Sequence, residues 1–252
     1  MVQSRVLIYF LLIVIFSSCN KKNNTKVEKV TVVNNQVDTL KVLSKNHIES
    51  YKLLGKFNYR NDTMFTKVPS KYTFKNIYIQ KVVLDSFINM ANAAEKDGVS
   101  FKIISGARNF DEQKRIWERK WRQNKITDSI ENALQILKYS SMPSTSRHHW
   151  GTDIDLNNLT NSYFDKGKGL KEYNWLVTNA YKFGFFQPYT SKDCGRTGYN
   201  EEKWHWSFKP LSSHYLKVYN DSISHKAITG FIGSTVAKDI DVIKKYVNGI
   251  EY

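Results

Sequence analysis

The sequence predicts an α+β fold, a small central antiparallel sheet flanked by helices, and three observations carry that expectation. Apolar residues recur at helical spacing over 82–96, 111–123 and 170–183, the mark of helices with one face on a core. Short β-prone runs at 101–104, 153–156 and 203–207 lie between and after them. Polar, chemistry-bearing stretches fall at the ends of those runs, which fits one mixed domain rather than separate helical and sheet domains.

The elements follow in chain order. At 1–19, Arg5 precedes an unbroken apolar run from Val6 to Phe16 and then Ser17-Ser18-Cys19. A run of about eleven residues is too short for a bilayer span of roughly 20 and suits an export signal. Small residues directly before a cysteine resemble the lipobox of bacterial lipoproteins, which implies lipidation of Cys19, a membrane anchor and a place in the cell envelope; Phe16 stands where a leucine is usual. Residues 20–46, rich in Asn, Lys, Val and Thr, read as a flexible tether with strand propensity only at 30–33. The folded domain is expected over 47–225, followed by a helical tail over 226–252.

Within the domain, 51–59 and 64–79 mix aromatics with Gly55 and Pro69 and read as irregular structure with short edge strands. The first helix places Val83, Leu84, Phe87, Ile88, Ala91 and Ala94 together and stops at Gly98. The second carries Gln113, Ile116, Trp117 and Trp121. Thr127 or Asp128 caps a third that ends near Tyr139. The fourth sets Tyr173, Leu176, Val177 and Ala180 on one face, with Gly184 behind it.

Composition narrows the function. With 252 residues, 41% hydrophobic and 14% aromatic, the chain has ample material for a core. The formal charge of +15 comes from lysines and arginines spread along the chain. No basic helix or nucleic-acid module accompanies them, so no nucleic-acid partner is expected, and an anionic membrane or cell-wall polymer is the more natural attractor. Of the two cysteines, Cys19 belongs to the export signal, which leaves Cys194 without a partner for a disulfide or a zinc knuckle.

Two stretches concentrate imidazoles and carboxylates: Ser146-Arg147-His148-His149-Trp150-Gly151-Thr152-Asp153-Ile154-Asp155 and Glu201-Glu202-Lys203-Trp204-His205-Trp206. His148 and Asp155 are seven positions apart, which on one continuous strand would put them on opposite faces. A turn at Gly151 lets both face one point, with Asp155 on a strand and Ile154 and Leu156 directed into the core. His205 supplies a third donor. Two imidazoles and one carboxylate suit zinc, and three protein ligands leave a coordination position open for chemistry. Glu202, three positions before His205, is placed to serve as general base. His149 is expected to be structural or to orient a ligand, and Trp150, Trp204 and Trp206 to shield the site.

The spaced set Ser146-x-His148-x-x-Gly151-x-Asp153-x-Asp155, then Glu202-x-Trp204-His205-Trp206, preceded by Ser105-Gly106-Ala107-Arg108 and Gln113, resembles the VanY-type D-alanyl-D-alanine carboxypeptidase family of zinc metallopeptidases, which is related to LD-carboxypeptidases. The helix with Trp175 and Leu176, Gly184-Phe185 and Thr197-Gly198-Tyr199 also resemble that family, so the likeness runs over about 81–208. It implies a zinc site at the sheet face held by His148, Asp155 and His205, with Glu202 as base. It further implies Arg108 as the group that holds a substrate carboxylate or the developing oxyanion, and Ser146 and Gln113 as substrate-binding residues. The implied reaction is hydrolysis of peptidoglycan stem peptides by a D-alanyl-D-alanine or LD-carboxypeptidase. The alternatives are an endopeptidase of cross-links and a non-catalytic wall-binding lipoprotein. Three positions depart from the family pattern: Asp153 replaces Ala, Ala107 replaces Tyr, and Lys203 replaces Pro. At strand period, Asp153 should share a face with Asp155, adding negative charge near the metal or being held by an arginine such as Arg147.

Overall fold

The computed structural model describes residues 48–251. The expected export signal at 1–19, Cys19, the expected tether at 20–46 and His47 lie outside the described residues. Strand β1 (Phe65–Lys67) pairs antiparallel with β2 (Tyr78–Gln80). The backbone leads straight into α1 (Lys81–Lys96), which buries Val83, Leu84, Phe87, Met90, Ala91 and Ala94. Those positions recur every three or four residues, so one stripe faces the core and the lysines and acids face solvent.

After β3 (Ile103–Ser105) comes α2 (Phe110–Gln123). Its start is set by a capping box, in which the Asn109 side chain accepts from the Glu112 N–H while the Glu112 carboxylate accepts from the Asn109 N–H. Helix α3 (Ser129–Ile136) is capped by Asp128 and stops short of the expected Tyr139. A 3-10 turn, Arg147–Trp150, then leads through Gly151 into β4 (Asp153–Leu156). Gly151 has φ +67°, and a Cβ there would run into the Phe65 ring. The turn therefore requires glycine both for its left-handed backbone and for the close approach.

Helix α4 (Gly167–Asn179) gives way to a 3-10 turn, Ala180–Phe183, four residues before the expected end. Val177, expected on its buried face, is 56% exposed. Leu176 faces inward as expected, with Trp175 instead of Val177 beside it, and Trp175 packs on Phe101 with ring centroids 5.5 Å apart. That contact also explains why the ladder at β3 starts two residues later than expected: Phe101 serves the core, not the sheet. Strand β5 (Phe185–Phe186) is too short to show a two-residue period and exists only through its pairing. Strand β6 (His205–Phe208) and helix α5 (Lys209–Ser222) complete the regular elements.

The main sheet has the order β3-β4-β6-β5, with every neighbouring pair antiparallel. Its two central strands pair Asp153 with Ser207, Ile154 with Trp206, and Asp155 with His205. Side chains alternate between faces, so Asp153, Asp155, His205 and Ser207 share one face while Ile154 and Trp206 share the other. All four residues of β4 are buried. A charged face buried this completely must be paired internally, and the site described below is that pairing.

The segment after α5 forms short turns, His225–Ala227, Ser234–Ala237 and the π-turn Ile243–Val247, not one helix. Ile240, Val242 and Tyr246 are buried in one cluster with Trp117, Ile136, Leu137 and Tyr199. The same core thus runs through position 226. Trp117 also donates its indole N–H to the Ile232 carbonyl at 2.8 Å.

Glu112 links the front of the domain to α2, accepting hydrogen bonds from Tyr59 Oη at 3.0 Å and Arg60 Nη2 at 2.8 Å. Burial alone would raise its carboxyl, but the Asn109 N–H, Arg60 and Tyr59 hold it below its ordinary value. A carboxylate depressed in this way contributes stability that is complete above its unfolded pKa of about 4.3 and is lost as pH falls through the folded value. Glu112→Gln should cost about 1 kcal/mol at pH 7. In urea titrations the gap to the wild type should close as the pH is lowered toward about 3.

Candidate metal centre and substrate cavity

Each of the two candidate histidine ligands is oriented by a second hydrogen bond. His148 Nδ1 donates to the Gly106 carbonyl at 2.8 Å, leaving the Nε2 lone pair 3.5 Å from Asp155 Oδ2. His205 Nε2 donates to Asp153 Oδ2 at 2.9 Å, so its free lone pair is on Nδ1, 3.0 Å from Asp155 Oδ1 and 3.6 Å from Glu202 Oε2. The two imidazole planes stand at 88° with centroids 4.9 Å apart. One donor atom from each of His148, Asp155 and His205 lies within 4.8 Å of the others, and all three residues are buried.

Asp155 Oδ1 is buried and accepts no hydrogen bond, although His205 Nδ1 is close. In the metal-binding tautomer, with the proton on Nε2 alone, Nδ1 faces the carboxylate lone pair to lone pair; without a cation, a second proton on the ring fills the same gap. Two such atoms confronting each other in the dark of the protein are what a cation satisfies. Burial alone would raise Asp155, but His148 and His205 hold it well below the usual carboxylate range. Burial lowers His148. For His205, burial is overcome by hydrogen bonds and charge from Asp153 and Asp155, which raise it to about 9; the same paired negative charge favours a divalent ion.

Asp153 shares the face with Asp155 and is neutralised by Arg147. The guanidinium Nε donates to Asp153 Oδ2 at 2.9 Å, and Nη2 donates to Ser207 Oγ at 2.7 Å. Thr152 Oγ1 and Ser207 Oγ donate to Asp153 Oδ1 at 2.6 and 2.9 Å. Against burial, Arg147 and His205 hold this carboxyl far below its ordinary value. The departure from alanine at this position therefore brings its own counter-ion.

His149 is not part of the cluster. Its Nε2 accepts from the Ser144 N–H at 3.0 Å, so Nδ1 carries the proton and donates to the Arg108 carbonyl at 2.7 Å. Burial lowers its pKa to about 4, keeping the ring neutral. The Arg108 N–H in turn donates to the His148 carbonyl at 3.1 Å. The backbone of Arg108 is thus held on both sides by the turn that carries His148.

Glu202 is buried beside the cluster, and burial pushes its carboxyl up to about 8 against the pull of His205. Arg108, Gln113, Ser146 and Glu202 line one cavity of about 730 Å³ together with the three candidate ligands. Arg108 Nε, Gln113 Oε1 and Ser146 Oγ are all buried there without hydrogen-bond partners, so polar groups with unmet bonding capacity face the space a ligand would fill. Gln113 is oriented by donating Nε2–H to the Ser141 carbonyl at 2.7 Å. Sequence reasoning missed Tyr189, whose buried ring lies 4.7 Å from that of His205, and Lys120 on the cavity wall. Neither carries a local signal, since each reaches the site only through tertiary packing. Trp150, Trp204 and Trp206 are buried, Trp204 in the cavity wall.

Asp153→Ala should cost about 3–5 kcal/mol in urea unfolding, because it removes the carboxylate of a fully buried ion pair. It should also weaken metal affinity roughly 10- to 100-fold, measured against a competing chromophoric chelator, by freeing the His205 tautomer. Asp153→Leu combined with Arg147→Met should recover stability but not metal affinity.

Comparison with known proteins gives the chain its relatives. The chain is 27% identical over 201 residues to YodJ of Bacillus subtilis (strain 168), an alignment covering 78% of this chain and 68% of that protein. It is 31% identical over 131 residues to a D-alanyl-D-alanine carboxypeptidase of Enterococcus faecium, covering 52% of this chain but only 37% of the enterococcal protein. The fold matches that of the LdcB LD-carboxypeptidase with a TM-score of 0.51 at 22% identity, over 66% of this chain and 76% of that one. The model of the VanY family, D-alanyl-D-alanine carboxypeptidase, matches residues 76–211, the span that carries the sheet, the buried histidine–aspartate cluster and Glu202, and the chain belongs to that family.

Proposed function

We propose that this chain is a zinc-dependent carboxypeptidase that removes a C-terminal D-alanine from peptidoglycan stem peptides. The observation that carries the reading is the convergence of His148, Asp155 and His205 within 4.8 Å of one another, beside a buried Glu202 and in a cavity with unpaired polar groups. The donor set fits the metal. Two imidazoles, each fixed by an outer hydrogen bond, and one carboxylate match zinc chemistry, and the orphaned Asp155 Oδ1 gains a partner. When bound, zinc supplies Lewis acidity at the scissile carbonyl and lowers the pKa of water.

The residues of the chain do the rest. Glu202 takes the proton of the attacking water and returns it to the leaving amine; burial tunes it toward neutral pH, where a carboxyl can do both. Arg108 presents a charged fork, positioned through its backbone by His148 and His149, to the terminal carboxylate or the developing oxyanion. Gln113 Oε1 and Ser146 Oγ offer bonding capacity to the peptide backbone of the substrate. Export and lipidation at Cys19 would hold the enzyme beside its polymer; Cys19→Ala should then move the protein from the membrane to the soluble fraction.

Glu202→Gln should retain zinc and fold while losing turnover of muropeptides by about 10²–10⁴. Mass spectrometry of the digest should show loss of a single terminal residue with the wild type. Chelation should abolish that loss and added zinc restore it. A Glu202→Gln enzyme as fast as the wild type would sink the assignment.

A further inference from the structure

We infer that Lys120 is a specificity-determining residue of this same cavity, binding a second substrate carboxylate carried on the acyl side of the scissile bond, so that acidic peptides are the preferred substrates. The inference rests on the carboxypeptidase reading above and adds to it the chemical class of peptide.

The argument begins with one face of α2. Gln113, Ile116 and Lys120, spaced i, i+3 and i+7, line the cavity, while Trp117 turns to the core between them. The Lys120 ammonium donates to Ser140 Oγ at 2.5 Å, and Ser140 is itself part of the cavity wall. The hydroxyl therefore fixes the ammonium at the wall and, among the described residues, leaves two of its three N–H donors without an acceptor. Burial pushes the ammonium below its ordinary pKa, with Glu202 the leading opposing influence, which describes a cation short of counter-charge.

Charge accounting in the cavity leads the same way. Four cationic side chains line it: Arg108, Arg119, Lys120 and Arg147. Arg147 is neutralised by Asp153. Among the described residues, Arg108, Arg119 and Lys120 have no ion-pair partner. The acids of the cavity, Asp155 and Glu202, are assigned to the metal and to proton transfer. Positive charge is left over for the ligand, with Arg119 exposed at the rim to draw anions in. One terminal carboxylate satisfies Arg108. A released residue with an apolar side chain carries no other, so the anion for Lys120 must come from a side chain upstream of the cleaved bond.

The test uses the zinc-loaded full domain and synthetic peptides ending in D-Ala-D-Ala, with glutamate or glutamine at either of the two preceding positions. At one of them the wild type should favour the glutamate peptide by roughly tenfold or more in kcat/KM, chiefly through KM, as a charge-assisted hydrogen bond requires. Lys120→Met, which keeps the aliphatic stem, should bring that ratio to about one, and Lys120→Arg should keep most of it. Circular dichroism and thermal unfolding check that the variant folds, and Lys120→Gln replaces it if it does not. Equal cleavage of glutamate and glutamine peptides by the wild type at both positions, or an unchanged ratio in Lys120→Met, overturns the assignment and leaves the carboxypeptidase reading standing. Failure of the wild type to cleave any of the peptides overturns both.

Discussion

The structure of the site depends on one buried carboxylate. Asp153 holds the His205 imidazole by Nε2 and the Arg147 guanidinium by Nε, and it is itself held by Thr152 and Ser207. Burying an isolated charge of this kind is prohibitive, and only complete pairing makes it tolerable. Once paired, it acts in two directions. Toward β6 it sets the histidine tautomer, and hence which nitrogen faces Asp155. Toward the 3-10 turn it anchors Arg147, and with it the adjacent His148. Two candidate ligands from distant parts of the chain are thereby oriented by one anion.

The same turn extends its influence to the substrate side. Arg147–Trp150 is stitched to the segment after β3 by the His148 carbonyl and the His149 ring, both acting on Arg108. The other end of that segment is the capping box of α2, tied to Tyr59 and Arg60 through Glu112. Arg108 thus sits between two fixed points, and α2, starting immediately after it, carries Gln113 and Lys120 along the cavity wall. The proposed metal ligands and substrate groups are parts of one hydrogen-bonded frame.

Much of this was legible in the sequence where the relevant constraint is local. The odd separation of His148 and Asp155 demanded a turn, and Gly151 adopts the left-handed backbone that makes it. Strand parity placed Asp153 beside Asp155, and the structure chooses the arginine pairing that the sequence left open. The α1 stripe and the Asp128 cap follow from spacing and side-chain chemistry alone. What could not be read depends on residues far apart in the chain. The dual grip of His149 on Ser144 and Arg108 leaves no periodic trace, and a two-residue strand such as β5 is defined by its neighbour. Val177 was misplaced because periodicity gives a face only to within about one residue, and the partner of α4 decided between Trp175 and Val177. The segment beyond 226 reads as generic helix because its order comes from Trp117, more than a hundred positions earlier.

The register of β4 against β6 has a consequence for which ion the centre selects. Asp155 and His205 are direct cross-strand partners, so the bite between their donors is set by a hydrogen-bonded ladder, not by a pliable loop. A ladder cannot widen without breaking its own bonds. Calcium needs six to eight oxygen donors and a flexible shell, and magnesium an oxygen-rich octahedron, whereas this frame offers a narrow, nitrogen-rich bite of low coordination number. With the proposed ligands, discrimination against the abundant alkaline-earth ions would follow from the sheet itself.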